Sequence, residues 1–234
     1  MSAHESLSHM PTPERTAISK QRARSQADKD LRRTHLIAAA KHLFSNASFE
    51  AVTVAQVAEH AGVAKGTAYI YFANKETLFL ELVRAELSDW LAELTTKLKR
   101  LRSADPATAV PKLLARGVSE RPTLRRLLVL LHSVIEPSID EASARDFKLF
   151  LHTLLMQAGA AIAAKLPGLS PQDAATLVLQ MHALVISVTQ LADPPPVIAK
   201  VMAADPSLQS MCIDFESFMG ATLATLVRGT LHKT

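Results

Sequence analysis

The chain has 234 residues, 48% of them apolar, and a formal net charge of +4. That length allows one large or two small domains around a sizeable core, and scarce glycine beside abundant alanine and leucine favours helix over strand. A single cysteine, Cys212, excludes an intrachain disulfide framework and suits a reducing cytosol.

The positive charge is unevenly placed. Residues 1–102 hold 15 Lys/Arg and 11 Asp/Glu, whereas residues 103–234 hold 11 of each. This points to a polyanionic partner for the first half, although a merely solvated surface explains the same asymmetry. The N-terminus has no apolar signal core. The longest uncharged run, residues 174–192, carries Gln180, His182, Ser187, Thr189 and Gln190. It reads as a buried helix at an interface rather than a membrane span.

Residues 1–28 are polar and basic, with Arg15, Lys20, Arg22 and Arg24, and read as a flexible arm. Such an arm is either a soluble tail or a reach toward DNA. From about Lys29 a helical pattern begins, with Leu36, Ile37, Ala40, Leu43 and Phe44 on one stripe. Thr53 is placed to cap a short helix over 54–61, and Gly62 suits the left-handed turn that ends it. A third helix follows over about 64–72. Asn74 can cap a fourth, running to about Arg102, with Glu76 in its first turn.

In the second half, Asp105-Pro106, Arg121-Pro122, Ser170-Pro171 and Asp205-Pro206 mark helix starts with Pro in the first turn. Glu136-Pro137 ends one helix, with Ser138 placed to cap the next. About nine or ten helices are expected, an all-α fold.

Two short helices joined by a glycine turn make a helix-turn-helix, whose second helix enters the major groove. The chain's only tyrosines, Tyr69 and Tyr71, lie on that second helix. Ala68 and Phe72, four apart, form its inward face. Lys65, Gly66, Thr67, Tyr69 and Tyr71 occupy the remaining circumference. A rigid phenol reaches a phosphate oxygen with little entropy loss, and such contacts fix register on a duplex.

The run VTVAQVAEHAGVAKGTAYIYFANKETLF, with AAAKHLF before it, resembles the DNA-binding domain of TetR-type transcriptional regulators over residues 33–82. The resemblance implies that Thr53 caps the second helix and contacts phosphate. It implies that Lys65, Gly66, Thr67, Tyr69 and Tyr71 face DNA, and that Lys75 binds backbone phosphate. Ala64 stands where the family often has Ser. Ser48 stands where it usually has Gly, so that Ser48 or Asn46 is expected to take any left-handed position. Residues 29–75 would form the helix-turn-helix domain and 76–234 a ligand-binding and dimerisation domain. The implied function is that of a cytoplasmic, homodimeric repressor released from a palindromic double-stranded operator by a small, mostly apolar effector. No cofactor, metal, membrane or enzymatic activity is implied. The competing reading is a helical scaffold without specific DNA binding.

His132 and Glu136 are four apart, which makes half a metal site at most and more readily a polar pair. His152 and His182 are isolated in apolar helices, each explicable as a core histidine. Together with Trp90, the only tryptophan, these four are the candidate ligand-binding residues. Cys212 reads as a small buried hydrophobe. For the dimer, helices over 171–192 and 206–230 offer small residues, Ala183, Ser187, Gly220 and Ala221. Val185 and Leu223 are the positions where an arginine is expected to split it. No Gly-x-Ser-x-Gly, phosphate loop, dinucleotide loop or zinc spacing is present.

Overall fold

A computed structural model describes residues 13–232, which form ten α-helices and no strand. They are α1 (Pro13–Asn46), α2 (Val54–His60), α3 (Lys65–Tyr71), α4 (Lys75–Arg100), α5 (Pro106–Ser119), α6 (Pro122–Leu130), α7 (Glu141–Ala163), α8 (Pro171–Ala192), α9 (Pro196–Ala204) and α10 (Phe215–Leu231). One apolar core runs without interruption from Leu36 on α1 to Val227 on α10.

α1 begins at Pro13, well before the expected start near Lys29. Pro suits the first helical position, and the Ala, Arg, Lys and Gln that follow are good helix formers. They carry no apolar stripe, so periodicity gives no sign of a helix there. The first part of the expected arm, residues 1–12, lies outside the described residues.

The end of α1 departs from expectation in an informative way. No described non-glycine residue has a positive φ, so neither Asn46 nor Ser48 adopts the left-handed conformation. The carbonyls that a left-handed cap would satisfy find another donor. Arg126 on α6 donates to the Phe44 carbonyl at 2.9 Å and the Ala47 carbonyl at 2.6 Å, and its guanidinium lies over the Phe44 ring. Asn46 Nδ2 donates to the His42 carbonyl at 3.0 Å. A charged side chain from another helix thus replaces glycine as the cap of α1.

α1 is latched along α4 by two ion pairs, Arg33 with Glu81 at 2.8 Å and Lys41 with the buried Glu86. Beneath them Phe79 packs edge-on against Phe44 and Phe49. α4 then continues into the larger helical layer, where it meets α5, α6 and α7. α7 lies along α8, and α10 lies along α5 and α8.

Pro106, Pro122 and Pro171 each open an α-helix as expected. Pro206 opens only a 3-10 turn, Pro206–Met211, although Asp205 caps it by accepting from the Ser207 N–H at 2.9 Å. None of its residues is buried, and a nucleated turn propagates poorly without a face to pack. The last helix therefore starts at Phe215, whose side chain is buried. Cys212, in this off-body segment, is exposed rather than buried. Beyond α6 the helix passes into a π-helical turn, Leu131–Ile135, and a 3-10 turn, Glu136–Ser138. α7 is capped by Asp140, not Ser138; Asp140 accepts from the Ser143 N–H at 2.9 Å.

α8 is long and apolar enough to cross a membrane. Here Leu177, Val178, Met181, Val185 and Val188 are buried in the core of the fold. Val185 and Leu223 face inward, 1% and 0% exposed, so arginine at either would break the protomer's own core. Ala183, Ser187 and Ala221 are the exposed members of the expected surface.

α7 and α8 approach closely at Gly159. A Cβ there would lie 2.7 Å from the Pro171 carbonyl oxygen and 2.8 Å from the Ala175 nitrogen, both backbone atoms. Helix propensity alone would make Gly159→Ala stabilising. The clash reverses the sign, and the expected outcome is a loss of roughly 1–3 kcal/mol. Thermal unfolding checks this: the melting temperature should fall by roughly 2–4 °C for each kcal/mol lost.

Candidate functional site

α2 and α3 form the helix-turn-helix, and each boundary has a local cause. Thr53 Oγ1 accepts from the Gln56 N–H at 3.2 Å while Gln56 Oε1 accepts from the Thr53 N–H at 2.9 Å, a complete capping box. At the other end Gly62 has φ 68°, with its N–H donating to the Glu59 carbonyl and that of Val63 to the Ala58 carbonyl. That pair of bonds is the Schellman ending. α3 starts from Ala64 without a side-chain cap.

Ala68 and Phe72 are buried, as their spacing requires. Lys65, Gly66 and Tyr69 are exposed, and Thr67 and Tyr71 are half-buried. Tyr71 packs in part against the core. Sequence reading overlooked Ile70, which at 82% is the most exposed large apolar residue among those whose exposure is described. The signal was available, since Ile70 lies off the Ala68–Phe72 face.

α4 begins at Asn74, which accepts from the Thr77 N–H at 2.8 Å. Lys75, expected at a phosphate, folds back to donate to the Phe49 carbonyl, with its ammonium 3.9 Å from the Phe49 ring centre. Burial lowers its pKa, against the opposing fields of Glu76 and Glu50. An ammonium has three donors, so this tie leaves others for an external oxygen.

Of the remaining candidates, Trp90, His132, His152 and His182 line a cavity of about 350 Å³ between α4, α5, α6, α7 and α8, whereas Glu136 does not line it. Its buried wall includes Leu87, Trp90, Val118, Leu124, Leu128 and Val185. Trp90 Nε1 is buried without a hydrogen-bond partner. At the mouth, His132 Nε2 lies 2.9 Å from His182 Nε2, and His132 Nδ1 lies 3.0 Å from Glu136 Oε2. Glu136 also accepts from Lys148 Nζ at 2.6 Å. Burial opposes ionisation of Glu136, but the bonds from Lys148 and His132 outweigh it and hold its carboxyl below the usual range. Burial, with the neighbouring His132 and Lys148, pushes the His182 pKa down to about 4, so its ring is neutral at pH 7. His152 also lines the cavity but is exposed, not a core histidine. Among the described residues no group of three or more His, Cys, Asp or Glu stands close enough to hold a metal ion.

Comparison with known proteins matches both halves of the chain. The profile described as bacterial regulatory proteins, tetR family, covers residues 36–82, and that described as tetracyclin repressor-like, C-terminal domain, covers residues 84–234. The chain belongs to the TetR family of transcriptional regulators.

Among curated HTH-type relatives, the chain is 33% identical over 66 residues to the uncharacterised transcriptional regulator YfiR of Bacillus subtilis, covering 28% of this chain and 32% of that protein. It is 28% identical over 110 residues to the transcriptional repressor KstR2 of Rhodococcus jostii, covering 47% and 46%. The matched region thus spans less than half the length of these relatives. The fold is similar to FadR of Bacillus halodurans, a fatty acid degradation regulator, with TM-score 0.54, 16% identity, and coverage of 85% of this chain and 95% of that one. FadR of Bacillus subtilis, solved with stearoyl-CoA, gives TM-score 0.54, 17% identity, and coverage of 84% and 98%.

In this TetR-family chain the two profile matches meet within α4, the helix whose first turn abuts the helix-turn-helix and whose Leu87 and Trp90 line the cavity. Two further residues were not legible in the sequence. Lys148 stands at the cavity mouth through its position four residues before His152. Arg126 had no local signal at all, because its partners lie on α1.

Proposed function

We propose that this TetR-family chain is a homodimeric repressor that binds a palindromic duplex operator through α3 and leaves it when a small, mostly apolar effector fills the cavity. Gly66 carries the DNA half of this reading. A Cβ at Gly66 would meet nothing within 4 Å, so no neighbour within the fold requires glycine there. Glycine inside a helix is unfavourable by roughly 0.5–1 kcal/mol relative to alanine. An external backbone pressed against α3 accounts for the cost. Gly66→Ala is therefore expected to stabilise the free protein by about that amount and to weaken duplex binding. Chemical denaturation and a binding titration on the same sample check both signs; a variant that is more stable and binds equally well would remove this support.

The relatives favour the output: KstR2 is named a repressor, and FadR of Bacillus subtilis binds an acyl-CoA in its crystal structure. The cavity here has an apolar wall with a few polar groups at the mouth, the usual make-up of a small-molecule site. Two helices are suited to transmit occupancy. α4 runs from the helix-turn-helix to Trp90, and α6 lines the cavity with Leu124 and Leu128 while Arg126 grips the end of α1. By linkage, an effector that lowers operator affinity binds the operator complex more weakly by the same factor.

A pair of half-sites requires a two-fold dimer. The exposed faces of α8 and α10, with Ala183 and Ala221, are the surface we assign to it. The double variant Ala183→Arg, Ala221→Arg is expected to sediment as a monomer at micromolar concentration while remaining folded by circular dichroism. The overall reading is tested by selecting bound duplexes from a random library and screening compounds for release. A palindrome released by no compound would retain the DNA half and discard the effector half; no enriched duplex at low salt would leave the scaffold reading instead.

A further inference from the structure

The polar groups lining the cavity mouth share one chemistry. His132, Lys148, His152 and His182 are all nitrogen bases, and no carboxylate lines the cavity. Glu136 does not line the cavity and is occupied by Lys148 and His132. The opposite wall is apolar and closed: Trp90, Val118, Leu124 and Leu128 are each 3% exposed or less. The cavity is thus polarised, with donors at the mouth and hydrocarbon at the floor.

The hydrogen bonds show which donors are free. His132 Nδ1 faces a carboxylate, so it carries a proton, and in the neutral ring Nε2 is left as an acceptor. The 2.9 Å contact then requires His182 Nε2–H to donate to His132. This pair is saturated on its facing atoms. Lys148 gives one of its three donors to Glu136, and His152 has no hydrogen-bond partner among the described residues. Lys148 and His152 are four apart on α7 and share one face at the mouth.

We propose, resting on the reading of this cavity as the effector site, that it binds an amphiphile with a carboxylate head held by Lys148 and His152 and an apolar tail on the Trp90–Leu128 floor. The size follows from the volume. At about 30 Å³ per non-hydrogen atom, 350 Å³ holds on the order of a dozen such atoms. That fits a medium-chain monocarboxylic acid and leaves no room inside for a nucleotide-bearing head. A cationic head would meet Lys148 with no free acid to receive it. A neutral head would forgo the charge-assisted bond.

The test uses Trp90 as reporter, because the only tryptophan lies in the cavity wall and responds to occupancy without DNA. The full-length protein is titrated with decanoate, 1-decanol, decylammonium and decanoyl-CoA, each below its aggregation threshold, and Trp90 emission is followed. Decanoate is expected to bind at least about fivefold more tightly than decanol, the modest end for a partly exposed charged contact, and decylammonium most weakly of the three. Lys148→Met should erase the preference for decanoate over decanol. Lys148→Glu should turn the preference toward decylammonium. Lys148 is an exposed side chain, so both variants are expected to fold. Equal binding of decanoate and decanol, binding of decanoyl-CoA alone, or an unchanged preference in Lys148→Met would each overturn the proposal. So would a Trp90 signal that responds to none of the four. Release from the selected duplex is measured separately. If decanoate binds with the expected preference yet releases no DNA, the head-group assignment stands and the effector reading fails.

Discussion

Phe79→Ala is expected to remove about 3–5 kcal/mol of stability, a large share of the 5–15 kcal/mol typical of a folded domain. Phe79 is fully buried on α4. Its ring meets Phe44 of α1 at 5.3 Å and Phe49 at 4.8 Å, both nearly perpendicular. The cost combines lost apolar burial, the void left behind and two edge-to-face contacts. The site is also a joint. Arg126 lies over Phe44 from α6, and Lys75 lies over Phe49 at the start of α4. Loss of Phe79 therefore loosens the seat of the helix-turn-helix on the larger helical layer. Urea unfolding at fixed protein concentration measures the effect, and Phe79→Leu should recover much of it. A change under about 1 kcal/mol would mean that the three rings do not pack as described. The variant should also lose duplex affinity, because α1, which packs against α2, is seated on α4 through these rings.

The second large effect is expected at the surface of α3 proposed to face DNA, without a change in stability. Lys65 and Ile70 are both exposed, so truncating either should alter folding by no more than about 0.5 kcal/mol. An apolar side chain that protrudes from a recognition helix suits a thymine methyl in the major groove. Ile70→Ala should then weaken binding to the selected duplex while leaving non-specific binding nearly intact, a loss of about 1–3 kcal/mol confined to the cognate sequence. Lys65→Ala at a phosphate should weaken all duplexes alike and lower the salt slope by about one. If Lys65 reads a base, its loss concentrates on the cognate duplex instead. Tyr69→Phe removes a hydroxyl alone and should act like a lost phosphate contact. Measured across a salt series on cognate and scrambled duplexes, unchanged affinity in all three variants would place the DNA-facing surface elsewhere.

Much of the fold and part of the site were legible in the sequence because their causes are local. The Thr53 capping box, the Gly62 left-handed turn, the Asn74 cap and the helix starts at Pro106, Pro122 and Pro171 depend on neighbours within four residues. The inward face of α3 followed from the spacing of Ala68 and Phe72 alone. His132 and Glu136 likewise met because one helical turn brings them together. What required the tertiary structure has partners distant in the chain. The end of α1 has no left-handed cap because Arg126, on another helix, supplies its donors. The Asp205-Pro206 start stops after a 3-10 turn because it buries no side chain in the core, and Cys212 just beyond it is exposed. Val185 and Leu223 could not be distinguished by sequence from surface residues of an interface, because composition does not say which side of an apolar helix meets its own chain. His182 acquired its depressed pKa, and Lys148 its place at a cavity mouth, only when α6, α7 and α8 came together, since burial and charge proximity are properties of the assembled fold.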